Sequence, residues 1–298
     1  MSLKRLNPVS ILSISLLLWL ASCQPQETGS ETFAIGEETR IISINGSLTE
    51  ILCEAGLAGN LVGLDITSTY PDSIQSLPKL GYNRSIPAEG VVALNPDLIV
   101  GRPGDLKPEV FDQINASGVK FWLFEQTYSV DGTKALIGAL CDSLQDSELK
   151  TRLTQSLDND LSKVQEIADA PKVLFVYARG AGSLSVAGKG TQVQEIISLA
   201  GGQNVELDFE GFKPLSSEIL VQSNPEVILL FESGLNSLAG AEGLLDVPGV
   251  KDTDAGKYMR FISMDGQLLT GFGPRLGEAI LELNQLLISV MEKDSPTI

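Results

Sequence analysis

"AEGVVALNPDLIV", residues 88–100, and "SSEILVQSNPEVILL", residues 216–230, decide the fold, because one reads as a second copy of the other. In each, a glutamate stands seven residues before a proline: Glu89 before Pro96, Glu218 before Pro225. In each, Asn-Pro-acidic closes a helical stretch and opens an apolar run of strand length. Proline cannot continue a helix but is tolerated where a strand begins. Working outward, "RIISIN" (residues 40–45) is another strand-length apolar run, and "KPEVFDQINASGVKFWLFE" (107–125) carries a helix and then a strand. Strand and helix alternate, which predicts mostly parallel sheets covered by helices. Further on, "KVLFVYARGAGSLSVAGKGTQVQEIISLAGGQNVELD" (172–208) repeats the order of strand, Gly-rich loop and helix. Near the start of the first copy, Ser47 with Glu50 three residues on predicts a capping box.

Between the copies, residues 131–170 hold no Gly or Pro after Gly138 until the end of the stretch, and Leu149, Leu153, Leu157, Leu161 and Val164 recur at spacings of four and three. The spacing predicts one long helix within residues 145–169. The fold class expected is therefore α/β: two similar lobes with mostly parallel central sheets and flanking helices, joined by that helix, with a ligand cleft between them. The N-terminal lobe is set at residues 40–130, the connecting helical segment at 131–170 and the C-terminal lobe at 171–298. A stiff helical connection implies little relative motion.

The N-terminus carries Lys4 and Arg5, an apolar run from Ile11 to Leu20, and then "LASC". A basic flank, a short apolar core and small residues before a cleavage point predict a secretory signal over residues 1–22. Its final motif resembles a bacterial lipobox, which makes Cys23 the lipidated first residue of the mature chain and places the protein outside the cytoplasm, tethered to a membrane. Residues 23–39 are polar and read as a flexible tether. The net charge of −17 argues against nucleic acid as a partner. Cys53 and Cys141 both fall in helix-like segments, Cys141 on an apolar stripe with Ile137 and Leu144, and are expected to be free thiols; so few cysteines build no cysteine metal site. The chain has no histidine. A Ser-His-Asp hydrolase is thereby excluded, and so is peroxide chemistry that relies on a distal histidine. The chain is expected to be a monomer and not an enzyme.

A group of sequences shares these features. "SINGSLTEIL" (43–52), "GLDITSTYP" (63–71) and "LPKLGYNRSIPAEG" (77–90) resemble the substrate-binding proteins of ABC importers, in the group with a single helical backbone that carries vitamin B12, siderophores and haem. "AGKGTQVQEIISLAGGQNV" (187–205), "FKPLS" (212–216) and "LLTGFGPRLGEAI" (268–280) extend the likeness over nearly the whole chain from Arg40. The "GYNR…AEG" segment is similar to the haem (hemin) binders in particular. The resemblance implies haem b as a transported ligand and a permease dimer with its ATPase as partner.

Within that resemblance, Tyr82 is the axial iron ligand and Arg84 supports it. With histidine absent, tyrosine is the strongest remaining anionic ligand for ferric iron. A free phenol titrates near 10, so ligation as phenolate needs the cationic metal and a nearby guanidinium. In an extended segment, residues i and i+2 point the same way, which would face Tyr82 and Arg84 into one pocket. A solvated surface pair is the bland alternative. Arg179, in the "VYARGAG" loop where some relatives use histidine, is a further pocket candidate, and the missing histidine favours a single haem. Arg102, Lys189 and Arg275 are weaker propionate candidates, and Phe272 belongs either to the pocket wall or to packing. Glu89 and Glu218 open equivalent helices, where acid is favourable in any case; the resemblance implies that they dock on arginines of the two permease subunits. The same scaffold carrying cobalamin or a ferric siderophore is the near alternative, and a haem enzyme the distant one.

Overall fold

The two Asn-Pro-acidic junctions launch strands by the same device. The computed structural model describes residues 33–292, so the signal segment, Cys23 and the first part of the tether lie outside the described residues. Asn95 and Asn224 end their helices in the left-handed region, at φ 44° and 36°, a conformation asparagine tolerates better than most residues. Pro96 and Pro225 follow, both buried. The next acid then reaches sideways: the Asp97 carboxylate accepts from the Arg40 amide and that of Glu226 from the Lys172 amide, each at 2.9 Å. Each carboxylate so fixes the start of the neighbouring strand.

The strands are β1 (Ile41–Ser43), β2 (Leu61–Leu64), β3 (Leu98–Gly101), β4 (Lys120–Leu123), β5 (Lys172–Ala178), β6 (Leu184–Ala187), β7 (Gln203–Asn204), β8 (Phe212–Pro214), β9 (Val227–Phe231) and β10 (Phe261–Met264). The first sheet has the order β2-β1-β3-β4 and is parallel throughout. The second has the order β10-β9-β5-β6-β8, with β7 beside β5. Its β5, β7, β9 and β10 pair in parallel, while β6 runs antiparallel to both β5 and β8. The second sheet is thus mixed. The reason is local: "RGAGS" is too short for a crossover, so β5 must turn back on itself as a hairpin. Strands β1, β3, β5 and β9 are buried along almost their whole length, as sheets covered on both faces require.

The connector is helical, and it holds two helices, Val130–Leu144 and Ser147–Leu161. Gln145 breaks them at φ 57°, and the Asp146 carboxylate caps the second by accepting from the Leu149 amide at 2.8 Å. An aspartate that bonds the backbone locally competes with helix continuation, which the apolar spacing alone does not reveal. Leu149, Leu153 and Leu157 are buried as the stripe requires, while Val164 lies beyond the helix end. The second helix lies so close to the final helix, Leu276–Glu292, that a Cβ on Gly277 would come 2.8 Å from the Leu157 carbonyl oxygen.

The expected capping box is not formed. Asn45 caps the helix Gly46–Glu54, accepting from the Leu48 amide at 3.2 Å. Ser47 and Glu50 are instead recruited by a segment more than two hundred residues away. The Ser47 hydroxyl donates to the Gly271 carbonyl. Glu50, its side chain 6% exposed, accepts from Arg275 at 2.8 and 3.1 Å and from Gln267 at 2.7 Å. Arg275 stacks on the Tyr70 ring with its guanidinium carbon 3.7 Å from the centroid. The C-terminal segment around 265–275 is thereby seated in the N-terminal lobe, and from Ile35 onward the described chain is one compact unit.

Cys53 and Cys141 are free. Burial, with Glu50 and Glu54 nearby, pushes the Cys53 thiol up to about 11; burial, with Asp146 and Asp142, does the same for Cys141. Both are protonated at neutral pH. For the interlobe pair, Arg275→Ala leaves the Glu50 carboxylate buried without its cation. We expect a loss of about 3–5 kcal/mol, measured as a lower urea midpoint with unchanged slope.

Candidate functional site

The loop that carries Tyr82 is built around one buried carboxylate. Asp105, 3% exposed, accepts from the Asn83 side chain at 2.7 Å, from the Arg102 amide at 2.9 Å and from the Arg102 guanidinium at 3.0 Å. Its own carbonyl accepts from the Arg84 amide at 2.7 Å. Residues 82–85 close as a turn, the Ser85 amide donating to the Tyr82 carbonyl at 2.9 Å. Held from both sides, the turn projects the Tyr82 ring outward, 47% exposed, at the wall of a cleft of about 470 Å³. The cleft lies between the lobes: Asn45, Thr67, Tyr82 and Gln126 line it from one side, Tyr177, Phe231 and Gln267 from the other.

The Tyr82 hydroxyl accepts a 2.9 Å bond from Nη2 of Arg179, across the cleft. The same guanidinium donates through Nε to the Tyr177 hydroxyl at 2.7 Å. It also lies 5.1 Å from the Tyr177 ring centroid and 5.5 Å from that of Tyr82, within cation–π range of both. Arg179 therefore bridges two phenols, one from each lobe.

Arg84 departs from expectation. Its φ of 60° breaks the extended geometry that would have pointed it along with Tyr82. Its Nε donates to the Gly104 carbonyl at 3.3 Å, and its side chain lines a neighbouring cavity of about 320 Å³. The guanidinium on the Tyr82 hydroxyl is that of Arg179, and Arg84 stands apart. Of the other candidates, Arg102 lines the cleft, donating to Gln126 at 3.0 Å and to the Tyr128 hydroxyl at 2.9 Å. Lys189 lines a different cavity, and Arg275 is bound to Glu50. Phe272 is buried edge-on against Tyr128, centroids 5.4 Å apart, which resolves its two readings in favour of packing.

Tyr177 was missed, and a signal for it was present. "YNR" at 82–84 and "YAR" at 177–179 are the same Tyr-x-Arg spacing, one in each lobe. The second lies at the end of the apolar strand Lys172–Ala178, where only Arg179 was singled out. Among the described residues, no three His, Cys, Asp or Glu side chains gather as a site for a bare metal ion. The site offers phenols and guanidiniums in a polar cleft with aromatic walls. That is a fit for a planar acidic ligand with a Lewis-acidic centre.

Glu89 and Glu218 both lie exposed in the first turn of short helices, Ala88–Ala93 and Ser217–Ser223. Glu218 accepts from Nε2 of the Gln222 side chain at 2.9 Å.

The family model for periplasmic binding proteins matches residues 41–268. Among solved structures, the periplasmic heme-binding protein RhuT from Roseiflexus sp. RS-1, in apo form, is 36% identical with a TM-score of 0.79, over 85% of this chain and 99% of that one. An uncharacterized ABC transporter substrate-binding lipoprotein of Bacillus subtilis strain 168, YvrC, is 25% identical over 254 residues, 83% of this chain and 79% of its own. The vitamin B12-binding protein of Vibrio campbellii is 25% identical over 223 residues, 74% of this chain and 80% of its own.

The Asp105 hub predicts a measurable cost. Arg102→Ala removes its bidentate cation and its bonds to Gln126 and Tyr128, and we expect a loss of about 2 kcal/mol in urea unfolding.

Proposed function

The chain belongs to the periplasmic binding protein family, and from that premise we propose that it captures haem and delivers it to the permease dimer of an ABC importer, which its ATPase drives. The family and the relatives at this level of similarity are substrate-binding components of ABC transporters for ligands of the haem and B12 type. The haem reading is carried by one observation: an exposed phenol at the cleft wall, Tyr82, whose hydroxyl meets a guanidinium from the opposite lobe.

Tyr82 binds the ferric iron of the haem as phenolate. The bond forms as the phenol proton leaves to water, favoured by the metal charge and by cationic groups nearby. Arg179 supplies that charge from across the cleft. Tyr177 holds Arg179 in position, and Arg84, one cavity away, contributes at longer range. Arg102 is the cleft-lining cation available to a propionate. No histidine exists to complete a second axial bond, which favours a single haem with a five-coordinate iron or a weak sixth ligand. Lipidation at Cys23 keeps the monomer at the extracytoplasmic face of a membrane, in line with the lipoprotein name of the Bacillus relative. Cobalamin is the second reading, favoured by the likeness to the Vibrio protein; hemin titration with a rising Soret band separates the two.

Tyr82→Phe keeps the ring and removes the ligand oxygen. We expect the ferric charge-transfer band to vanish and hemin affinity to fall at least tenfold, while Arg84→Ala has a smaller effect. An unchanged spectrum in Tyr82→Phe would refute the assignment.

Glu89 and Glu218 dock one lobe each on the two permease subunits. Charge contacts of this kind set register and encounter rate. The double variant Glu89→Ala/Glu218→Ala should bind hemin normally yet slow hemin uptake into vesicles bearing the importer, and more so than either single variant.

A further inference from the structure

The two copies of the repeat agree at few positions, and those positions sort into two kinds. Aligning residues 88–100 with 217–229 leaves identical pairs at Glu89/Glu218, Val92/Val221, Asn95/Asn224, Pro96/Pro225 and Ile99/Ile228. Three of these pairs are explained by folding. The asparagines hold left-handed helix ends, the prolines are buried at the strand start, and the isoleucines are fully buried core. Glu89/Glu218 sit in first helical turns, where acid is favourable, and Val92/Val221 have no folding explanation. Val92 is 39% exposed and Val221 56%, although the residue before each, Val91 and Leu220, is fully buried. Valine is also among the weaker helix formers, so helix stability does not call for it on a wet face.

Each valine lies three residues after its glutamate, on the same face of the helix one turn along. We propose that Val92 and Val221 are paired apolar anchors, each seated in an apolar recess of one permease subunit beside the cation that receives Glu89 or Glu218. The inference rests on the docking role of the glutamates and adds the part of the contact that salt does not screen. A partner that meets the same Glu-x-x-Val face twice must present the same site twice, which a dimer of identical subunits does. Its recess must be rimmed with positive charge, since among the described residues neither glutamate is paired with a cation. A second copy of this chain, at a net charge of −17, would set acid against acid. The division of labour follows: the carboxylates steer over a range of about 8 Å at physiological salt, and the valines hold once water is expelled.

The test is docking of hemin-loaded protein to the importer's permease–ATPase complex in nanodiscs, at low and high salt. The variants are Val92→Ser, Val221→Ser, their double, and Glu89→Gln/Glu218→Gln. We expect each serine variant to weaken docking about fivefold, as burial of part of a valine side chain implies. The double should approach the product, and the loss should persist at high salt. Hemin titration and thermal unfolding should match the wild type. If the valine variants dock normally while the glutamine variant does not, the anchor assignment is wrong and the glutamate reading survives. If both sets dock normally, the docking face itself is wrong and this inference falls with it. Should the wild type sediment as a dimer that the serine variants dissociate, the valines belong to self-association and the proposal is overturned.

Discussion

Everything about the cleft depends on Glu50 being buried. A carboxylate withdrawn from water needs a cation and a full set of donors, and here both come from the far end of the chain, as Arg275 and Gln267. Gln267 in turn accepts from the Tyr70 amide at 3.0 Å, and Arg275 lies on the Tyr70 ring. One residue's demand for partners thus gathers three segments at the floor of the site. With Ser47, Gln126 and Thr133 all donating to carbonyls of residues 271–272, directional bonds join the two lobes beside the apolar contact of Tyr128 with Phe272. Directional bonds permit few alternative arrangements. This suits a protein whose two walls must present groups to the same ligand.

The repeat, the alternation of strand and helix and the α/β class were legible because they follow from local rules: a proline ends a helix wherever it stands. Tyr82 was singled out for a different reason, the absence of histidine, which leaves few residues able to bind ferric iron, and the structure sets its ring at the cleft wall. What failed to read out was non-local. Ser47 and Glu50 satisfy the capping-box pattern perfectly well, but a buried interlobe pair outweighs a helix cap and Asn45 takes over the capping. Arg84 was placed by the period of an extended strand, and a single left-handed residue removed that period. The break at Gln145 went unseen because apolar spacing reports which face is buried and not whether the helix is continuous.

The two Tyr-x-Arg triplets show how duplication can be read at the level of chemistry. In the first lobe the tyrosine stands at the cleft wall and its own arginine is turned away; in the second the tyrosine anchors its own arginine, which reaches across to the first. The two copies place one motif differently: one presents its phenol at the cleft, the other its guanidinium. Identical spacing in the sequence therefore does not imply identical roles, because the backbone at the arginine differs: a left-handed turn at Arg84, and the hairpin end after β5 at Arg179, whose amide bonds the Ser183 carbonyl at 3.0 Å.

The two free thiols bear on how such a protein could be put to use. Cys53 and Cys141, each pushed up to about 11, form almost no thiolate near neutrality, and the thiolate is the species that alkylating dyes attack. A cysteine introduced on the cleft rim, for instance at Ser233, would outpace both by a wide margin. In a protein shortened to begin after Cys23, one fluorophore could therefore be placed there without first removing either native cysteine. Its quenching on addition of hemin would report the proposed binding optically.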